Sequence, residues 1–207
     1  MSWSRYHALW LPDRCVFYAG LLPGVVSSQA PPGAGGSFNT GFVIAGSGAN
    51  VNDGGNVAWS NPDRITADDA SNAAANVSTI GWATQILVSG SHNLASIPDT
   101  ATIDGIIVRV QRLKQSTISV TADHTVALTK NGTTFPGGNR AKSADWETTA
   151  TNIDYGDPGD LWGLSWTPAE IKASTFGVGF KSRSVSGTAG ANNHRVDAVW
   201  IDVYYTD

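Results

Sequence analysis

The chain has 207 residues and is 41% hydrophobic, which is enough to form the core of one domain, with or without an arm. Charged residues contribute 14%, against about 25% in typical soluble domains, and this favours a loop-rich β-protein or a subunit that buries much of its surface. The net charge of −4, without a basic cluster, argues against direct nucleic-acid binding, and the single cysteine, Cys15, excludes an intramolecular disulfide and a thiolate metal cluster.

We predict that residues 1–35 form an N-terminal arm that packs against this subunit or a neighbour and serves assembly. The run CVFYAGLLPGVVSSQA is similar to the apolar core and cleavage region of a signal peptide, but Pro12, Asp13 and Arg14 place the charged region poorly for that role. No apolar stretch approaches the ~20 residues of a membrane span, so we expect no membrane association. Large aromatic side chains suit a solvated tail poorly, and we expect five of them to contact this subunit or a neighbour: Trp3, Tyr6, Trp10, Phe17 and Tyr18.

Residues 36–56 are rich in glycine and asparagine and predict a connecting segment. They follow APPGAGGS, residues 30–37, a linker that neither a helix nor a central strand would tolerate. Within the connecting segment, GFVIAG predicts a strand and GSGANVNDGG predicts a loop. The globular part is therefore expected to begin near Val57.

The next part of the chain predicts short strands separated by turns. DDASNAAANVS lacks a periodic apolar face and favours strand or loop, and TQILVSG favours a strand. IIVRVQRLKQ alternates, with Ile106, Val108 and Val110 on one face, which is typical of a sheet with one wet side. HTVALTKNGTTF predicts a strand that ends in a hairpin turn at Asn131 and Gly132.

The C-terminal part predicts one short helix between strands. TPAEIKAS combines an N-cap at Thr167, a proline in the first helical position and a capping box completed by Glu170. FGVGFKSRS and the closing VDAVWIDVYY predict strands. We therefore predict an all-β fold: an antiparallel, jelly-roll-like β-sandwich over residues 57–207, with an extended N-terminal arm and one short helix.

The stretch YGDPGDLWGLSWTPAEI allows a functional and a structural interpretation. In the first, Trp162 or Trp166 stacks on a sugar as a ligand shelf, and carboxylates spaced three residues apart, Asp154, Asp157 and Asp160, supply oxygens to Ca²⁺. In the second, the Asp/Gly/Pro string is a turn and the tryptophans fill the end of the sandwich. The spacing does not match an EF-hand loop, and the structural interpretation is favoured.

Other reactive residue types show no recognisable pattern. The four histidines, His7, His92, His124 and His194, lack metal-ligand spacing, and we place His92 and His194 in loops. The sequence contains no nucleophile elbow, phosphate loop or dinucleotide fingerprint. Asp68 and Asp69 are adjacent, so in a strand they would point to opposite faces rather than form a catalytic pair. We predict that the protein is not an enzyme and needs no cofactor or metal.

Several spaced motifs resemble β-sandwich domains of tailed-bacteriophage structural proteins and prophage-encoded proteins. They are WSNP at residues 59–62, IPDTATIDGIIVRV at residues 97–110, YGDPGDLWGLSWTPAEI, FGVGF and the final VDAVWIDVYY. The resemblance covers residues 57–207. The resemblance implies a virion component, of the head decoration (cement) or tail-fibre type. It implies no catalytic residues for this chain.

Two hypotheses of function follow. The first is a phage head decoration or cement protein, assembled as a homo-oligomer, most simply a trimer, that binds the major capsid protein or another virion protein through its arm. Such a protein would be made in the bacterial host cytoplasm and located on the particle surface. The second is a tail-fibre module that binds a receptor or a host-surface glycan. A hydrolase would need a cleft with convergent carboxylates or a Ser–His pair.

Overall fold

A computed structural model of the chain describes residues 35–188 and 190–207. Within these residues ten strands form two antiparallel sheets, with one short 3₁₀-helix and one α-helix. The strands are β1 Ser37–Asn39, β2 Val43–Ile44, β3 Ser47–Val51, β4 Ala73–Asn76, β5 Ile86–Gly90, β6 Thr102–Lys114, β7 Ser119–Thr129, β8 Thr151–Tyr155, β9 Gly177–Gly187 and β10 Asn193–Thr206; the 3₁₀-helix is Pro62–Ile65 and α1 is Pro168–Lys172.

The two sheets have the connectivity of a jelly-roll-like sandwich. The first sheet has the order β1-β10-β6-β8, with β2 and β4 also pairing with β10, and the second has the order β3-β5-β9-β7. From β6 to β10 each successive strand lies in the opposite sheet, so the chain crosses the core at every connection. This arrangement confirms the predicted all-β sandwich.

The segment at residues 36–56, predicted to be a connection, instead belongs to the sandwich. It contributes β1, β2 and β3; β1 pairs with the C-terminal end of β10 and β2 with its middle, along the same edge. β3 pairs along its whole length with β5 in the second sheet. These strands are two to five residues long and rich in glycine and asparagine, so their pairing depends on partners that local propensity does not reveal.

The alternation predicted for β6 is confirmed. Ile106, Val108 and Val110 are 0% exposed and face the core, whereas the alternating Arg109 and Gln111 are only partly buried and face outward. Each buried branched side chain stabilises the fold by about 1.5–3 kcal/mol relative to an exposed one. The outward-facing side of the first sheet is called the outer face below.

The predicted hairpin at Asn131 and Gly132 is wrong, although the turn itself is present. Gly132 adopts a positive φ of 74°, and the chain then returns along β7 without forming a regular ladder. Side chains replace part of the backbone pairing, because the Asn139 Oδ1 accepts from the Val126 amide at 2.9 Å. The next strand, β8, then crosses to the other sheet.

The predicted helix is confirmed together with its capping box. The Thr167 hydroxyl accepts from the Glu170 amide at 3.3 Å, and the Glu170 carboxylate accepts from the Thr167 amide at 3.0 Å. Lys130 bonds to the same carboxylate at 2.8 Å, and these contacts hold the pKa of Glu170 below its ordinary value. In the described part of the chain, no helix has the length and apolar character needed to cross a membrane.

The interior contains an ion pair between the sheets. Asp123, 3% exposed, accepts hydrogen bonds from the Trp146 indole and the Tyr155 hydroxyl, both at 2.9 Å. The Arg112 guanidinium, also 3% exposed, lies 3.4 Å from this carboxylate. Burial, and then the nearby Asp123 charge, raise the pKa of Tyr155 and keep its hydroxyl protonated as a donor. The carboxylate therefore joins β7 to β6, β8 and the segment that precedes β8.

Replacing Asp123 with asparagine tests the importance of this pair. The variant leaves the Arg112 guanidinium buried without its counter-ion, so we expect the free energy of unfolding to fall by about 3–5 kcal/mol. Urea denaturation monitored by circular dichroism provides the measurement. Asp157→Asn makes the same charge change at an exposed turn and is expected to stay within about 0.5 kcal/mol of the parent. A loss below about 1 kcal/mol for Asp123→Asn would contradict the assigned role.

Candidate interaction surface

The structure buries both tryptophans of the proposed sugar shelf. Trp162 is 0% exposed and its indole donates to the Ile106 carbonyl at 2.8 Å. Trp166 is 8% exposed and its indole donates to the Leu161 carbonyl at 3.1 Å. Because a sugar stacks on an accessible ring face, these positions follow the structural interpretation, in which the indoles fill the end of the sandwich.

The three aspartates of the same stretch have separate structural tasks. Asp154 forms a two-bond pair with Arg109 at 2.7 and 2.8 Å, and Asp160 forms one with Arg140 at 2.6 and 2.7 Å. The Arg140 guanidinium lowers the pKa of Asp160. Asp157 accepts from a backbone amide two residues further on, at 2.8 Å. They do not converge, and residues 35–188 and 190–207 contain no cluster of three His, Cys, Asp or Glu side chains arranged to hold a metal ion.

His194 lies inside β10 rather than in the predicted loop, and its imidazole is buried. Its Nε2 accepts from the Asn192 amide at 3.1 Å, which leaves the proton on Nδ1, 2.8 Å from the Ser182 hydroxyl. In this arrangement the histidine donates to the serine, which is the reverse of the bond that activates a serine nucleophile. Burial lowers the pKa of His194 to about 4, and both side chains are fully inside the sandwich.

His92 forms the second Ser–His contact and also has a structural environment. Its Nδ1 lies 3.0 Å from the Val43 carbonyl, which can only accept, so its Nε2 accepts from the Ser89 hydroxyl at 3.1 Å. Ser89 is 1% exposed, and its oxygen also accepts from the Val178 amide. Burial lowers the pKa of His92 to about 4, which makes it a weak general base near neutral pH. The contact ties the end of β5 to β2.

The aromatic residues predicted to mediate assembly, Trp3, Tyr6, Trp10, Phe17 and Tyr18, lie outside the described residues, as does His7. Their contacts stay a prediction. An exposed apolar surface is nevertheless present in the sandwich itself, and sequence analysis did not identify it. It consists of four side chains, called the end patch: Ile80, Trp82, Ile118 and Val185, which are 38%, 42%, 65% and 41% exposed.

Backbone pairing brings the end patch together around the C-terminal half of β9. The Ser184 amide donates to the Trp82 carbonyl at 3.0 Å, which places the loop with Ile80 and Trp82 beside β9. The Thr188 amide, just after β9, donates to the Ile118 carbonyl at 3.3 Å. Val185 is the extra residue of a β-bulge against β7, and the bulge turns its side chain to the surface.

The other exposed aromatic side chains are covered in part by their own chain. Phe38 stacks on Tyr205 with ring centroids 5.7 Å apart, and Phe42 lies under the Arg109 guanidinium at 3.8 Å. Trp82, by contrast, takes part in no aromatic or cation–π pair with the residues that the structure describes. The end patch therefore exposes an indole that no described residue covers through an aromatic or cation–π pair, next to three exposed aliphatic side chains.

The buried histidines predict a loss of stability in mild acid. Both have a folded-state pKa of about 4 against 6.5 for the free side chain, so the unfolded chain binds more protons between these values. The free energy of unfolding is expected to fall as the pH decreases from 6.5 to 4, by up to about 3 kcal/mol for each residue. Urea denaturation at several pH values measures the slope.

Variants of the histidines show which residues cause this dependence of the free energy of unfolding on pH. His92→Gln and His194→Gln should each flatten it. Partial burial and then the Lys181 and Arg183 charges also lower the pKa of His124, at an exposed position of β7, so His124→Gln should flatten the slope less. Carboxylates whose pKa is lowered, such as Asp160 and Glu170, lose their contribution as the pH falls through their ordinary values of 3.8 and 4.5, so they affect only the acidic end of this window. A stability that is constant between pH 6.5 and 4.5 would contradict the assignment of neutral, buried imidazoles.

No protein-family model matches the chain, and no curated protein shows significant similarity to it. The resemblance to phage structural proteins therefore stands on the sequence motifs alone.

Proposed function

We propose that this protein is a structural component of a bacteriophage particle, a head decoration or cement protein that stabilises the capsid through contacts between subunits. The end patch is the observation that carries the proposal. It exposes Trp82 and three aliphatic side chains beside the C-terminal half of β9. Contiguous exposed apolar side chains mark protein–protein contacts, and Trp is enriched at the centres of such contacts.

The motifs that carry the phage resemblance have architectural roles, which supports a structural function. The Trp59 indole of WSNP donates to the Gln85 carbonyl at 2.9 Å, joining the segment after β3 to β5. Trp162 joins the corner before α1 to β6 in the same way. Residues of this kind specify the sandwich and leave its surface free to vary, as a scaffold for subunit contacts requires.

The low charge content fits the same function. Charged side chains are depleted in interface cores, and they make up only 14% of this chain. In the proposed arrangement, the end patch is covered by a neighbouring copy of the chain in a closed oligomer, a trimer in the simplest case. The arm then contacts the major capsid protein or another virion protein, and repetition over the particle surface multiplies individually weak contacts.

The end patch gives a direct test with the full chain. Burying Trp82 and Ile118 between copies contributes about 1.5–3 kcal/mol for each side chain, so Trp82→Ser/Ile118→Ser should weaken self-association at least tenfold. Sedimentation equilibrium measures the association constant. Phe42→Ser, an exposed apolar position outside the end patch, is the matched control and should associate like the parent. A parent that stays monomeric, or a double variant that associates like the parent, would contradict the proposal.

A second candidate function, a tail-fibre or receptor-binding module, is favoured by the outer face of β10. Trp200 and Tyr204 lie there half-buried, on either side of Asp202, while Ile201 and Val203 face the core. A half-buried aromatic pair can stack on a sugar. Asp202 itself is 3% exposed and accepts from Asn39 and Thr40, so it is not counted as a sugar ligand. Binding of the parent to a glycan array that Trp200→Ala abolishes, with unchanged oligomeric state, would favour this function; an array without specific binding would count against it.

A further inference from the structure

An acidic hollow lies on the outer face of the first sheet, and none of its residues belongs to the end patch. It is an open depression of about 400 Å³ lined chiefly by Asp68, Asp69, Asn72, Gln111, Leu113 and Asp197. Asp68 and Asp69 come from the loop between the 3₁₀-helix and β4 and are exposed at its rim. The hollow therefore joins a loop to the surfaces of β6 and β10.

Asp197 forms the floor of the hollow because of a β-bulge. Its neighbours Val196 and Ala198 pair with consecutive residues of β6, so Asp197 is the extra residue of β10 at this point. Its side chain is 2% exposed, and its Oδ2 accepts from the Ala70 amide at 3.0 Å. Its Oδ1 is buried without a hydrogen-bond partner among the described residues. A carboxylate oxygen in this position lacks a donor or a cation.

The negative charge of the hollow is not neutralised by the described part of the chain. No Lys, Arg or His of residues 35–188 and 190–207 forms an ion pair with Asp68, Asp69 or Asp197. Gln111, with its amide nitrogen facing the carboxylates, donates to Asp197 at 2.7 Å and to Asp68 at 3.2 Å, but it supplies no charge. Burial and then the two neighbouring aspartates raise the pKa of Asp197, as expected where like charges meet without a cation.

The Asn72 side chain adds a second unsatisfied acceptor. Its Oδ1 is buried without a partner in the described part of the chain, although its nitrogen donates to the Ala70 carbonyl at 2.8 Å. A ligand that satisfies the hollow must therefore carry positive charge and several hydrogen-bond donors. An ammonium group has both properties, with three donors and no acceptor.

The walls of the hollow distinguish an organic cation from a metal ion. The carboxylates are not grouped closely enough to form a three-residue metal site. Leu113 and Ala150 contribute apolar surface beside them, which a bare ion would not use but an alkyl chain would cover. We infer that this hollow is a binding site for a primary alkylammonium group, with the ammonium held by Asp68 and Asp69 above Asp197 and the methylene stem along Leu113.

Two sources supply this chemistry: a lysine side chain of a protein partner and a free polyamine. Both share the ammonium and the methylene chain, and they differ in the second charge of a diamine and in the peptide backbone of a lysine. The inference does not depend on the proposed function, because the hollow uses none of the end-patch residues.

An NMR titration of the ¹⁵N-labelled full chain tests the inference. Nα-acetyl-lysine amide and putrescine are titrated separately, and the Gln111 side-chain amide and the Ala70 backbone amide report on the hollow. We expect saturable shifts of these signals, with a Kd on the order of millimolar or below. Tighter binding of putrescine would assign a free polyamine as the source, and tighter binding of the lysine derivative would assign a protein partner.

Matched ligands and variants decide the outcome. Nα-acetyl-norleucine amide has a similar stem without the charge and should not bind. Asp68→Asn, at the exposed rim, should weaken ammonium binding at least fivefold, while Asp63→Asn on the 3₁₀-helix makes the same charge change outside the hollow and should not. Absence of saturable shifts, equal binding of the norleucine derivative, or saturation of the same signals by CaCl₂ but not by the amines would overturn the inference.

Discussion

The pairing of β10 with β6 is the contact on which the first sheet depends. It runs the length of both strands, and β10 also carries the short strands β1, β2 and β4 along its other edge. Strands this short have little stability alone and become ordered only against an existing template. The ladder also determines which side chains reach the outer face, because its register alternates core and surface positions until the bulge at Asp197 interrupts it.

The buried pair of Arg112 and Asp123 joins several elements of the sandwich through hydrogen bonds. Two buried charges cost desolvation energy that their mutual attraction only partly offsets, and an apolar pair of similar volume is often equally stable. The pair contributes hydrogen bonds that have a defined geometry. The carboxylate accepts from Trp146 and Tyr155, and each of these bonds has one acceptable geometry. The segment between β7 and β8, which has no regular ladder, thereby obtains a defined position against the core.

Local patterns in the sequence predict the long elements and the helix but not their surfaces. The alternation of β6 and the capping box at Thr167 each depend on residues close in sequence, so both were predictable. The burial of Trp162 depends on an acceptor at Ile106, 56 positions away, and the pattern of Asp and Trp residues alone fits a binding shelf as well as a corner. The position of Asp197 at the floor of the acidic hollow is equally unpredictable from the sequence, since the alternation of VDAVWIDV gives no sign of a bulge there.

Binding at the end patch and binding at the acidic hollow would depend on different physical interactions, so the two should respond differently to salt. The proposed contacts through Trp82 and Ile118 would be driven by burial of apolar surface, which salt affects little and kosmotropic salts strengthen. An ammonium beside Asp68 and Asp69 at an open rim is screened within about 8–10 Å at physiological ionic strength. If both surfaces serve the same particle, assembly through the end patch should persist in high salt while any contact through the hollow weakens. The charged surface would then select and orient the partner, and the apolar surface would supply most of the affinity.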